Sequence, residues 1–504
     1  MASGSELCIE KESSPVRLFV WVFAALNLVF LYYQSILFIG NHDWDWVKGT
    51  TQVLQWNTGL FEGRYGKFIL NVTLFGGQIL PLLNNWVAFA LLAVGTTMLA
   101  CYWPLKNFSS RLLVALLPAL APFILGWLYF PINILGNFMA VPAGIGGLML
   151  IEKKGYLPKI AGVGCFLLAL GVYPSVAEML LVCWGFRCLL AEENERKQAF
   201  QALFWIVGGL VLFMLVLKIL AAAGIVYTGH YNMQTASISE IINRLPDLAA
   251  LAVGQLAESL PFLPSSLKAC GLLLIIVAFA LSWRSEAPKS VIAALWVIIL
   301  GATVLSAALA AMPEEVAYMP RVNFYGLNFL YAGAAAVLLS DRRCFRNLGL
   351  MLSVIFLMMS VNQNMEAQKV WQLGKTAEER LVERISARIS EKHLESSLLI
   401  PVLAGEISLR PRYYHAPYRR PSPYVLNTSF IVRHIPSGMF NFYAAAPLFA
   451  GMSRISAVSP ALRAFISETS RPWPAESSLF VDENYAVIML TPEGIAAIRA
   501  QLPR

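Results

Sequence analysis

Long apolar runs punctuate this chain, at about 18–39, 84–103, 112–130, 134–151, 158–173, 175–191, 201–223, 267–283, 290–311, 321–340 and 347–362. Each is close to the ~20 residues a helix needs to cross the hydrocarbon of a bilayer. The pattern predicts an all-α polytopic membrane protein of about 11 transmembrane helices. Segment 65–83 is apolar too, but Gly66, Gly76, Gly77 and Pro81 interrupt it, and it reads as interfacial or half-buried. The first run follows a short polar leader and has no small-x-small cleavage site behind it. It is expected to be a retained anchor, with no cleaved targeting peptide.

The polar positions orient these spans. One set of loops holds Lys11 and Arg17, Lys106 and Arg111, Lys153, Lys154 and Lys159. It continues with Arg187, Arg196 and Lys197, then Arg284 and Lys289, then Arg342, Arg343 and Arg346. The alternate loops spread Lys48, Arg64, Lys67, Arg244, Lys268 and Arg321 over much more sequence. Cations collect on the cytoplasmic side of membrane proteins. The N-terminus, residues 1–17, is therefore expected inside, and an odd number of spans puts the C-terminus outside.

Four features then fall on the outer face: the loop 40–83, a loop of about 224–266, the short loop 312–321, and the tail. In the first of them Val47, Leu54 and Phe61 recur every seven residues, as do Trp46, Val53 and Leu60. That stripe suits a helix lying in the membrane plane, or one packed against other helices. The transmembrane region is read as 18–362 and the tail as a separate soluble domain, 363–504. The tail opens with a charged helix, roughly 375–392, and continues with strand-like runs at 398–404, 429–434 and 485–490. A small α/β unit is expected there.

Composition agrees. Of 504 residues, 58% are hydrophobic and only 13% are charged, where a soluble domain carries roughly 25%. The net charge of +8 is modest. No Lys/Arg tract interleaved with aromatics suggests nucleic acid as a partner. The seven cysteines lie in or near predicted spans or on the cytoplasmic side, none at CxxC spacing. They read as small apolar residues of membrane helices. No P-loop, no GxSxG elbow and no HExxH pattern is present, so ATP-driven transport and zinc hydrolysis fit poorly, and no metal is indicated.

One polar stretch carries the candidate chemistry. HDWDW at 42–46 sits directly behind the first span. Carboxylates at the water–lipid boundary are costly unless they serve chemistry or ion handling. Glycosyl transfer to a hydroxyl needs a base for the acceptor proton and cations for a phosphate leaving group. Asp43 and Asp45 are the candidate catalytic residues, with His42 beside them as a substrate-binding candidate. On a helix the two acids would diverge, whereas an extended segment would align them. Both could instead cap a helix that starts near Trp46. Arg64 in EGRYG and Arg321 after Pro320 are candidate phosphate ligands through forked hydrogen bonds, or else snorkelling anchors. Tyr173, at an outer turn between spans, is a candidate sugar-stacking residue or a tyrosine of the interfacial belt.

The order of HDWDW at 42–46, GRY at 63–65, GVYPS at 171–175, PRVNFYG at 320–326 and SVNQNMEAQKVWQ at 360–372 resembles a known family. It is similar to the integral-membrane glucosyltransferases that modify bacterial O-antigen during serotype conversion, with a GT-C-like fold. In that family the two acids are adjacent; here Trp44 separates them. Where the family often has Tyr-Gln, this chain has Tyr173-Pro174. The resemblance implies a polyprenyl-phosphate hexose as donor, glucose first, and a lipid-linked or growing surface polysaccharide such as O-antigen as acceptor. It implies reaction on the periplasmic side of the bacterial inner membrane, with no cofactor. The rival readings are a transporter or flippase of a lipid-linked sugar, and a polysaccharide polymerase. A transporter would place charges mid-span, where Glu178 and Lys218 are the main ones, and use internal repeats, of which none is evident.

Overall fold

A computed structural model describes residues 14–35, 59–60, 62–75, 81–128, 131–226, 238–257, 264–285, 287–309, 320–340, 345–392, 400–404, 459–481 and 485–501. Two compact units emerge, one reaching to Met365 and the other running from Glu366.

The first unit is helical. In chain order it comprises α1 (Pro15–Val29), α2 (Leu31–Ser35), α3 (Tyr65–Phe75), α4 (Pro81–Tyr102), α5 (Phe108–Leu120) and α6 (Leu125–Leu128). Then come α7 (Pro131–Ile151), α8 (Tyr156–Val172), α9 (Val176–Leu190), α10 (Glu193–Ala222), α11 (Ile238–Asn243) and α12 (Leu245–Ala257). The set closes with α13 (Ser265–Ser282), α14 (Lys289–Ala302), α15 (Leu305–Leu309), α16 (Pro320–Ser340) and the long α17 (Phe345–Lys392). Seven helical stretches among the described residues are long and apolar enough to cross a membrane. This is a helical membrane protein. Four of the runs expected to span form shorter helices: α1, α8, α9 and α14. Local breaks shorten two of them, at Phe30 after α1 and at Thr303–Val304 after α14.

Burial follows the helical period. Along α10, Ala199, Ala202, Ile206, Gly209, Phe213 and Leu217 face protein. Phe204, Val207, Val211, Leu215 and Ile219 are exposed. A continuous apolar face of this kind suits contact with lipid. α16 is the opposite case: Val322 to Leu339 are all buried. A helix apolar all round belongs at the centre of a bundle.

One broken span packs along α16, and a second meets it at Thr303. The first is α5–α6. The carbonyl of Pro118 would accept from residue 122 in a continuous helix, but Pro122 has no N–H. Asn328 Nδ2 of α16 donates to that carbonyl instead, at 3.1 Å. Ile124 N–H turns to Ala121 O in a 3₁₀ bond, and Asn364 Nδ2 donates to Leu120 O at 2.7 Å. Tyr33 OH donates to Leu128 O, at the end of α6, at 2.8 Å. Irregular backbone survives at membrane depth only when buried and satisfied in this way. The second broken span is α14–α15, interrupted at Thr303–Val304.

At the Tyr156 end of α8 a charged cluster ties four helices. Tyr102 OH donates to Glu152 Oε1 at 2.6 Å. Arg187 reaches Glu152 at 3.3 Å and Glu195 at 3.0 Å, and lies over the Tyr102 ring.

In the second unit, the charged end of α17 continues the same helix as the preceding span, so the two segments expected to be separate are one rod of 48 residues. β1 (Ile400–Ala404) pairs parallel with β3 (Tyr485–Met489). β2 (Leu479–Val481) pairs antiparallel with β3, giving the order β1-β3-β2. α18 (Pro460–Ala464) is capped by Ser459, whose hydroxyl accepts from Leu462 N–H. α19 (Pro492–Gln501) follows the sheet, and its Arg499 donates to Ile466 O at 2.7 Å. Leu462, Ile466, Leu479, Ile488 and Met489 are buried in this unit. Arg388 of α17 donates to Pro474 O at 2.9 Å and stacks on Trp473. The strand-like run at 429–434 and the amphipathic stripe at 46–61 lie largely or wholly outside the described residues.

Candidate functional site

At the Val172 end of α8 the chain builds a basic, aromatic corner. It starts from a tight turn. Gly63 N–H donates to Leu60 O, and Arg64 N–H to Gly59 O. Gly63 has φ 75°, a conformation most side chains avoid. That turn delivers Arg64 to the start of α3.

α3 is then clamped on α8. A Cβ at Gly66 would lie 2.5 Å from Leu168 O, and one at Gly171 would lie 2.4 Å from the Tyr65 ring. Both positions have room only for hydrogen. Tyr65 OH donates to Leu167 O at 2.8 Å. Backbone contact this close fixes Arg64 with respect to the end of α8.

Arg64 lies over the Tyr173 ring, 5.2 Å from its centroid. Glu62 pairs with the same guanidinium at 2.7 Å. Trp127, at the end of the broken α5–α6 span, meets Tyr173 edge-on at 4.8 Å and 90°. Tyr325 of α16 closes the group, with its ring 6.2 Å from Tyr173 and 6.3 Å from Trp127. Its hydroxyl donates to Asn137 O of α7 at 2.7 Å. Arg321 precedes Tyr325 by four residues, one turn along the same helix face. A ring quadrupole attracts a guanidinium without cancelling its charge. The corner therefore aims cations with aromatic rings.

Of the residues expected at the site, Arg64 and Tyr173 are brought into contact. Arg321 stands one helical turn before Tyr325 on α16. Tyr173 is only 6% exposed, with the guanidinium over its ring. His42, Asp43 and Asp45 lie outside the described residues.

Trp127, Tyr325 and Lys67 were not read as site residues. Lys67 follows Arg64 by three positions, is 4% exposed and packs by Gly136 of α7. A sequence signal existed for two of them. Lys67 and Tyr325 stand at i+3 and i+4 from the two arginines, which places them on the same helix faces. Nothing local distinguishes Trp127 from a core tryptophan.

A helical membrane protein with a basic, ring-lined corner at one end of its bundle is the class this geometry defines. Within that class, the family model described as glucosyl transferase GtrII matches residues 49–315, just over half of the chain. The chain belongs to the GtrII glucosyl transferase family, and so to the glycosyltransferases. Arg64, Lys67, Trp127, Tyr173 and Glu178 fall within the match; HDWDW and Arg321 fall outside it. Neither a curated protein nor a solved structure matches the chain.

Proposed function

We propose that this protein is a GT-C-type glucosyltransferase that moves glucose from a polyprenyl-phosphate donor to a surface polysaccharide such as O-antigen. It works at the periplasmic face of the bacterial inner membrane. The N-terminus is cytoplasmic, about 11 segments cross or enter the bilayer, and an α/β domain at the C-terminus is periplasmic. One of Asp43 and Asp45 removes the proton of the acceptor hydroxyl. The freed oxygen bonds to C1 of the sugar, and the C1–O bond to phosphate breaks, its electron pair leaving on polyprenyl phosphate. Arg64 and Arg321 hold that phosphate and stabilise the charge it gains. His42 contributes to binding the sugar, and Tyr173 keeps Arg64 aimed.

The observation that carries this reading is the Arg64–Tyr173–Tyr325 stack leading to the turn that bears Arg321. A planar guanidinium held by rings suits forked recognition of phosphate oxygens. Cation-rich segments gather at the other end of α8, with Arg17 over Phe108 and the Glu152–Arg187–Glu195 cluster, which supports the orientation.

The test is reconstitution of the purified protein with polyprenyl-phosphate glucose labelled in the sugar and with crude envelope polysaccharide. Label is expected to pass into the polysaccharide. Label that crosses the bilayer but stays on the lipid would overturn transfer and favour a flippase.

A further inference from the structure

Glu178 is a carboxylic side chain on α9, 1% exposed, among mostly apolar buried residues of that helix. Such a group is costly to bury, and an apolar residue of equal volume would cost less. Its surroundings show what it holds. Ser306 lies just past the break in the α14–α15 span, and its N–H donates to Glu178 Oε1 at 3.1 Å. In a continuous helix that N–H would bond to the carbonyl of Ala302. Oε2 has no hydrogen-bond partner among the described residues. It points at Gly326 of α16: a Cβ there would stand 2.8 Å from Oε2 and 3.2 Å from Thr303 Cα. One carboxyl thus meets three elements, α9, the α14–α15 break and α16.

The spacing along the chain gives this junction its consequence. Glu178 follows Tyr173, the ring under Arg64, by five residues. Gly326 directly follows Tyr325, the ring against Tyr173, and follows Arg321 by five. Glu178 thus sets α9 against α16 close to the Tyr173–Tyr325 contact, on which Arg64 rests.

We infer that Glu178 is a positioning residue for the two-arginine corner, setting the distance between Arg64 and Arg321 through its contacts with Ser306 and Gly326. The inference rests on the reading that these arginines bind the donor phosphate. Glu178 touches no substrate. It acts by fixing how closely α16 approaches α9.

The experiment is a comparison of purified variants in the labelled transfer assay, with donor KM and kcat resolved separately. Glu178→Leu keeps the volume and removes the acceptor for Ser306. It is expected to raise donor KM about tenfold, the scale of losing about 1.4 kcal/mol of binding, and to change kcat by less. Glu178→Gln keeps an oxygen for Ser306 and should restore KM to within about threefold of the parent. Gly326→Ala pushes on Oε2 from the other side and should raise KM in the Glu178 background, with its effect reduced when Glu178 is Ala. Thermal unfolding of the same variants reads packing alone. Should Glu178→Leu and Gly326→Ala lower the unfolding temperature while donor KM stays at the parent value, and Arg64→Ala still raises it, Glu178 is structural only. Should Arg64→Ala and Arg321→Ala also leave KM unchanged, the phosphate site itself is wrong and the positioning role falls with it.

Discussion

The two ends of α8 carry polar clusters that mix the same contacts in different proportions. At the Tyr156 end, Arg187 lies between the carboxylates of Glu152 and Glu195, and Tyr102 OH donates to Glu152. Charge meets charge, and the cluster ties four helices. At the Val172 end, Arg64 rests on a ring, and the rings of Tyr173, Trp127 and Tyr325 pass the contact on to the helix of Arg321. A ring orients a cation without neutralising it. The first arrangement is a latch. The second sets one guanidinium against a single carboxylate, Glu62 at 2.7 Å, and against a run of three rings. Burial alone does not separate them, because Arg64 and Arg187 have side-chain exposures of 14% and 13%.

Removing the base breaks the comparison most severely. If the Val172 end is where transfer occurs, one of Asp43→Asn or Asp45→Asn should lower turnover by ~10²- to 10⁴-fold, the scale for loss of a general base. Folding and donor affinity should stay near the parent. Asn keeps an N-cap almost fully, so the other variant should show a smaller effect, and Asp43 is the expected base. Near-normal transfer in both would remove the catalytic reading of HDWDW. Next in size, Arg64→Ala or Arg321→Ala should weaken donor binding by about 1.5–3 kcal/mol, the range for hydrogen bonds to charged groups, or roughly 10- to 150-fold. Lysine should rescue only partly, for want of the fork. A ligand titration of each variant decides it.

The latch end makes the contrasting case. Arg187→Met leaves Glu152 and Glu195 without their shared cation. It should cost about 1–3 kcal/mol of stability, the penalty for an unsatisfied polar group, seen as a lower unfolding temperature. Donor KM of the surviving protein should not move. A changed KM with unchanged stability would mean that the two ends are coupled and the division into latch and site is wrong.

Much of this was legible in the sequence, and the failures have a common cause. Hydropathy counts transfer free energy, and it found the stretches that became α10, α13 and α16. It does not see backbone hydrogen bonds. The run 112–130 reads as unbroken, yet Pro122 cannot satisfy Pro118 O, and two asparagines far along the chain do so for the broken span. For the same reason 290–311 reads as one helix although it breaks at Thr303–Val304. Conversely, 347–362 and 375–392 read as two segments and form one helix, Phe345–Lys392. The composition changes there from apolar to charged, but both halves favour helix, so the solvent changes and the conformation does not. At the site, Arg64 and Arg321 stand out because cations are sparse in the loops expected on the outer side. Trp127 and Tyr325 are hidden, because an aromatic in an apolar run looks like core until its neighbours are known. Glu178 was visible as a mid-span charge, but its partners Ser306 and Gly326 lie more than 120 residues away.

The smallest expected effect sharpens the comparison at Arg64 itself. Like the latch, the Val172 end has an arginine over a tyrosine ring and a carboxylate beside its guanidinium, here Glu62 at 2.7 Å. If Arg64 binds phosphate, Glu62 competes with that phosphate for the same N–H groups. It sits two residues away on a turn, with a side chain 24% exposed, and partly exposed pairs are worth about 0.2–1 kcal/mol. Glu62→Gln should therefore lower donor KM by about 1.5- to 5-fold, and salt should shrink the gain, since screening already weakens the pair in the parent. If Glu62 instead holds Arg64 over Tyr173 as Glu152 holds Arg187, the same change should raise KM at every salt concentration. The sign of this one shift, measured at low and high ionic strength, tells whether Tyr173 suffices to aim the arginine.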